Sequence, residues 1–242
     1  MLLKSRAIVL SKLKYNDTSE IALLFTEEAG AESFIVRIPK TRRAGVKNIL
    51  LQPLNILDVE WDCRETPGLR YFKNIRCRYL YTSLPYHPVK ACMAQFLSEF
   101  LYYALRNEHD NRGLFQYLFT SLVWLDEAER GYSNFHLVLM VHLCRFLGIL
   151  PTASKGASQI CYDLLNSCYT TNLPAHSHYV TGVEVEFLPK LMRMNFFNMH
   201  LFAFNRQQRN RLLDLMNEYY RLHIPNFPEL KSIAILREVF NG

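Results

Sequence analysis

Over the first eighty residues the apolar positions come in short runs, rich in β-branched and aromatic side chains and separated by polar turns. Residues 5–10, 20–26, 31–38, 50–60 and 69–80 each read as a strand. The alternation is sharpest in the third, where Phe34, Val36 and Ile38 fall on one side and Ser33, Ile35 and Arg37 on the other. In the fifth, the same rule sets Arg76 and Arg78 on one side and turns Ile75, Cys77 and Tyr79 inward. Asn16-Asp17 and Gly30 mark turns. Five strands with no long helix between them predict a small closed or partly closed barrel, because closure removes exposed sheet edges.

After Pro85 and Pro88 the period becomes helical. Val89, Met93, Phe96, Leu97, Phe100 and Ala104 predict a helix over 89–106, and Leu114, Tyr117, Leu118, Ser121, Leu122 and Leu125 predict a second. A third, capped by Ser133, runs to Leu147 and is stopped by Gly148 and Pro151. Residues 152–186 lose the period and hold two strand-like pieces, 159–164 and 180–187. Helical spacing returns at Asn205, which forms a capping-box pattern with Gln208, and a last helix is expected over 229–240. The expected fold is therefore α+β. An OB-fold-like five-stranded barrel over residues 1–82, with an SH3-like barrel as rival, precedes a mostly helical domain over 83–242 that carries a small inserted β-containing module at about 152–186.

Composition narrows the partners. Residues 1–80 hold fourteen Lys and Arg against nine Asp and Glu, whereas 81–242 hold fourteen against thirteen, so the net charge of +6 sits almost wholly in the barrel. That distribution favours a polyanion as partner. Lys4, Arg6, Lys12 and Lys14 interrupt any apolar leader, and 135–150 is too short and too polar to span a bilayer, so a cytoplasmic protein with no membrane contact is expected. The 6 cysteines form no Cys-x-x-Cys pair and read as reduced structural thiols.

The basic stretch 39–48 supplies Lys40, Arg42, Arg43 and Lys47, beside Arg37 at the end of the third strand, and such a set neutralises phosphates with little demand on sequence. Lys12, Lys14 and Tyr15, placed in a loop after the first strand, extend that surface, and Arg76 and Arg78 offer a second basic stretch. Solvated strand and loop faces would carry the same residues. Cys161, Cys168, His176 and His178 form the one cluster worth testing for zinc, but their spacing is poor for a tetrahedral site. No phosphate loop, nucleophile elbow, His-Glu-x-x-His or Gly-x-Gly-x-x-Gly pattern occurs, and Glu184 with Glu186 reads as a solvated strand face. No enzyme and no cofactor are expected.

Two stretches resemble the RecO family of recombination mediators. One holds Ala7–Leu10 (AIVL), the turn at Tyr15, Asp17 and Ser19, the LFTEE-x-G run at 24–30 and the basic stretch after it; the other surrounds His223, Pro225, Leu230, Lys231 and Ser232, as in Bacteroidetes members. The resemblance implies an N-terminal OB-fold, a helical bundle and a zinc-like module. It further implies binding of single- and double-stranded DNA, annealing of complementary strands, association with RecR, contact with the C-terminal tail of single-strand binding protein, RecA loading and a place at the bacterial nucleoid. Many members carry four cysteines as two Cys-x-x-Cys pairs; this chain keeps Cys161 and Cys168 well apart, which implies a metal-free module. Two readings of other classes stay open: an interaction scaffold that does not bind DNA, and a metal-dependent nuclease.

Overall fold

The computed structural model describes residues 2–37, 49–62, 68–152 and 160–239. The chain divides into two compact units, Met1–Glu127 with Ser232–Val239, and Ala128–Lys231 with Phe240–Gly242.

The first unit contains β1 (Leu2–Asn16), β2 (Ser19–Thr26), β3 (Gly30–Arg37), β4 (Ile56–Asp62) and β5 (Phe72–Tyr79), an antiparallel sheet in the order β3-β2-β1-β4-β5. It closes where Ile35 N–H donates to the Arg70 carbonyl at 2.9 Å and Arg70 N–H to the Ser33 carbonyl at 2.8 Å, a parallel bridge pairing Phe34 with Arg70. The result is the expected OB-fold-like barrel. Its interior is apolar, with Ala7, Val9, Ala22, Leu24, Phe34, Val36, Leu57, Val59 and Trp61 in one cluster.

Ile8, Leu10, Phe25 and Ile56 are buried as well, outside that cluster. β1 packs against α1 (Pro88–Leu105), and Phe25 stacks on Phe115 of α2 (Arg112–Glu127) with centroids 6.4 Å apart. Covering on both sides explains the unbroken apolar run Ala7–Leu10, which alternation alone does not. A register shift between Val9 and Ser11 then flips the strand's faces. Pro88 opens α1, where its missing N–H costs nothing, and the Asn111 side chain caps α2 by accepting from Leu114 N–H at 2.9 Å.

In the second unit α3 (Phe135–Phe146) is buried on nearly every face. The expected stop is found, with Gly148 at φ 71°. The expected cap is not, because Asn134 holds the N-cap position and its amide donates to the carbonyls of Met199 and Phe202. A three-stranded sheet follows, β7 (Cys168–Thr170), β6 (Cys161–Asp163) and β8 (Tyr179–Thr181) in that spatial order. The strand expected over 180–187 ends at Thr181. Gly182, at φ 64°, turns the chain into α4 (Val183–Arg193), which buries Phe187, Leu188 and Leu191 at helical spacing. The capping box at Asn205 and Gln208 opens α5 (Arg206–His223) as expected. The first unit is completed by α6 (Ser232–Val239), which packs on α1. Ser232, through N–H and hydroxyl, donates to the Glu99 carboxylate.

Candidate nucleic-acid interface

The barrel's charges are mostly spoken for. Register sets Lys4 opposite Glu60 and Arg6 opposite Asp58 across β1 and β4, and Asp58 opposite Arg76 across β4 and β5. The ion pairs follow: Lys4–Glu60 at 3.0 Å, Lys73–Asp62 at 3.1 Å and Arg78–Asp58 at 3.9 Å. Elsewhere Arg70 meets Glu32 at 3.1 Å, Lys14 meets Asp17 at 2.8 Å and Arg112 meets Glu28 at 2.5 Å. Arg6 forks onto Glu27, and that hydrogen-bonded pairing holds the Glu27 carboxyl below its ordinary range despite partial burial.

Among the described residues, every carboxylate of the barrel therefore has a cation, and the barrel cations without such a carboxylate are Arg37 and Arg76. Arg37, exposed at the end of β3, begins a run to residue 47 that has five cations and no acid. Lys40, Arg42, Arg43 and Lys47 lie outside the described residues. The excess charge of the barrel is nonetheless assigned to this run by subtraction, since the other strands balance themselves.

Lys12, Lys14 and Tyr15 are not in a loop, as expected, but on β1, which continues to Asn16 because β2 pairs with it to the end. Lys12 lies across from Ala22, on the inner face, with only 17% of its side chain exposed and Glu20 at 3.5 Å. Its charge is largely cancelled. The outer face instead carries a row that the sequence reading missed: Leu13 opposite Ile21, and Ile21 opposite Ile35. Leu13 is 59% exposed, and Tyr15, at the register shift between Lys14 and Asn16, is 58% exposed. Ile21 and Ile35 are half-buried, and Ile35 lies two residues before Arg37 on β3. A partly open apolar row next to a cation can hold bases by apolar and stacking contact while phosphate meets the charge. Period-2 alternation in β2 and β3 was the signal available for it.

Arg76 and Arg78 sit on the far side of the sheet order, on a face balanced by β4 carboxylates. Cys77, expected inward, is exposed: it stands in register with buried Leu57, two residues past Ile75, but faces the open cavity at the end of β5 and not the barrel interior.

In the second unit, no group of three or more His, Cys, Asp or Glu suited to a metal occurs among the described residues. Cys161 Sγ lies 2.8 Å from Thr170 Oγ1, Cys168 faces Asp163 in register, His176 is 3.3 Å from Asp163, and His178 pairs with Glu218 at 2.8 Å. The four expected zinc candidates are thus each engaged with other groups or strands. Asp163 instead accepts from Leu165 N–H, Asn166 N–H and the Asn166 amide, closing the β6–β7 turn. Glu184 and Glu186 lie in the first turn of α4, not on a strand; Glu184 meets Arg211 at 2.7 Å. Among the described residues, no helix is long and apolar enough to cross a membrane.

Family profiles match nearly the whole chain: the one described as Recombination protein O N terminal covers residues 1–81, and Recombination protein O C terminal covers 87–232. Proteins named DNA repair protein RecO are similar over full length. That of Bacteroides fragilis is 46% identical over 242 residues, and that of Phocaeicola vulgatus 45% over 241, each alignment covering 100% of both chains. That of Porphyromonas gingivalis is 33% identical over 247 residues, again with 100% of both covered.

Proposed function

The chain belongs to the RecO family of DNA repair and recombination proteins, and from that premise we propose that it is a non-enzymatic mediator that binds DNA through its barrel and anneals complementary strands. One observation supports this most: the uncompensated charge of the barrel gathers in the sequence run 37–47, which begins at exposed Arg37, two residues along β3 from Ile35 in the row of exposed Leu13 and half-buried Ile21 and Ile35. Cations on a sequence-tolerant surface neutralise phosphates of either strand, which lowers the repulsion that opposes pairing, and fit single- and double-stranded DNA alike. Association with RecR, RecA loading onto strands coated by single-strand binding protein, and a cytoplasmic, nucleoid-associated location complete the reading.

The tail of single-strand binding protein, acidic and ending in an aromatic residue, needs an apolar pocket with a cation at its mouth. Lys90, Arg106, Arg112, Arg130 and Arg145 are the cations the sequence offers for it. Lys90 is only 3% exposed, Arg112 is engaged by Glu28 and half-buried Arg106 lies over the Tyr103 ring, which leaves exposed Arg130 and Arg145 as the better anchors.

Binding of a fluorescent single-stranded oligonucleotide at two salt concentrations tests the central reading: affinity should fall steeply as salt rises. No binding at low salt would leave an interaction scaffold. Labelled DNA incubated with magnesium or manganese should stay intact, and metal-dependent turnover would make the protein a nuclease. Titration of the tail peptide against the full chain should saturate and be lost when the terminal Phe is deleted.

A further inference from the structure

A cavity of about 580 Å³ in the first unit plays no part in that reading. It lies where β5 ends and α1 begins, walled by Tyr79, Leu80, Tyr81 and Tyr86, with the amides of Gln52 and Gln95 among its polar groups. Among the described residues, no charged side chain lines it. Tyr79 and Tyr81 stand edge to face with centroids 5.4 Å apart. Both are pinned, since the Tyr81 hydroxyl donates to the Leu54 carbonyl at 2.8 Å and the Tyr79 hydroxyl lies 3.2 Å from the Asp126 carboxylate. Tyr86 and Leu80 are the opposite case, large side chains 77% and 79% exposed.

Along β5 the cavity-lining Cys77 and Tyr79 alternate with Arg76 and Arg78. A neutral, aromatic-walled space thus sits on the strand that also carries two cations. An anion meets no counter-charge among these described lining residues and would lose its hydration on entry. A neutral heterocycle has a face to stack and an edge for amide groups to meet, while its charged linkage remains outside. The volume is ample for such a ring.

We propose that this cavity seats an unstacked nucleobase of a bound single strand, as a second contact apart from the row on β1, β2 and β3. The proposal rests on the barrel being a DNA-binding surface. An open base, held by stacking and without register to a sequence, is what a strand must present before it finds its complement.

The test uses the full chain and two strands of equal length and charge, one with bases and one of abasic sugar-phosphate. The wild type should prefer the base-bearing strand by on the order of tenfold or more. Tyr86→Ala combined with Gln95→Ala, both exposed positions, should remove most of that preference and leave the salt slope unchanged. Tyr86→Phe should retain it, because the ring and not the hydroxyl does the stacking. An undiminished preference in the double variant, repeated in Leu80→Ala, overturns the proposal. So does a variant that keeps the preference but loses a protein partner, which would make the cavity a protein-docking groove. Failure of the underlying reading looks different: the wild type would then bind neither strand.

Discussion

The ammonium of Lys90 donates to the main-chain carbonyl of Asp126 at 2.8 Å, and also to Ser83 Oγ at 2.6 Å. The carboxylate of the same Asp126 accepts from the backbone N–H groups of Thr82, Ser83 and Leu84. Lys90 and Asp126 therefore fix, from two sides, the turn by which the chain leaves the barrel for α1.

Burial alone would raise the Asp126 carboxyl, but the backbone donors of Thr82, Leu84 and Ser83 outweigh it and hold it below the ordinary range. A carboxyl depressed in the folded state stabilises above its unfolded pKa, and that contribution is lost as pH falls through the folded value. Asp126→Ala should cost about 2–3 kcal/mol, since it strands the buried N–H of Leu84 together with the more accessible N–H groups of Thr82 and Ser83. Asp126→Asn should cost less, and the gap between wild type and Asn should narrow below pH 4. Urea unfolding at pH 7 and pH 3 reads both; a wild-type midpoint for the Ala variant would mean the turn holds itself.

Replacing Lys40, Arg42, Arg43 and Lys47 together with Ala should weaken DNA binding with little regard to sequence. The log–log salt slope should become shallower by at most about 3–4 units. Lys4→Ala with Lys73→Ala removes cations already paired with Glu60 and Asp62, and should change the slope by less than about 1. Equal effects from the two sets would mean that ion pairing within the barrel does not decide which cations meet phosphate.

The three-stranded module should contain less than one zinc per chain and keep its fold in chelator. Hydrogen bonds tie it to α5: His223 to the Leu164 carbonyl at 2.8 Å and Ser167 to the Tyr219 hydroxyl at 2.6 Å. The expected lesion is therefore Asp163→Ala, at about 1–3 kcal/mol, and not metal removal. One zinc per chain by elemental analysis, with unfolding on chelation, would overturn this and return attention to Cys161, Cys168, His176 and His178.

His136, buried within α3, is held neutral by burial and by the nearby Arg209, its pKa drawn down to about 3. The unfolded chain then binds a proton that the folded chain refuses, so stability is lost as pH falls from about 6.5 toward 3, by about 1.4 kcal/mol for each pH unit at most. His136→Phe should flatten this part of the profile in denaturant titrations. An unaltered slope would place the acid sensitivity in other groups.

Most strands and helices were legible because burial on one face leaves a period. Where two faces are covered, or a bulge intervenes, the period misleads. The end of β1 looked like a loop because Lys12, Lys14 and Asn16 follow a fully apolar run, yet pairing with β2 carries the strand on. Val183, Val185 and Phe187 alternate with Glu184 and Glu186 as a strand would, but Gly182 and the burial of Leu188 and Leu191 make a helix. The apolar row on the barrel needed register, since Leu13, Ile21 and Ile35 are neighbours only across strands.

The return of α6 to the first unit has a consequence for synthesis. About a hundred residues separate Glu127 from Ser232, so a nascent barrel unit must stand without its last helix for roughly 5–20 s of elongation. During that interval Glu99 has no Ser232 to accept from, and the face of α1 that α6 will cover is open to chaperones or to neighbouring chains. The order in which the polypeptide emerges, rather than its final stability, sets when the barrel unit is finished.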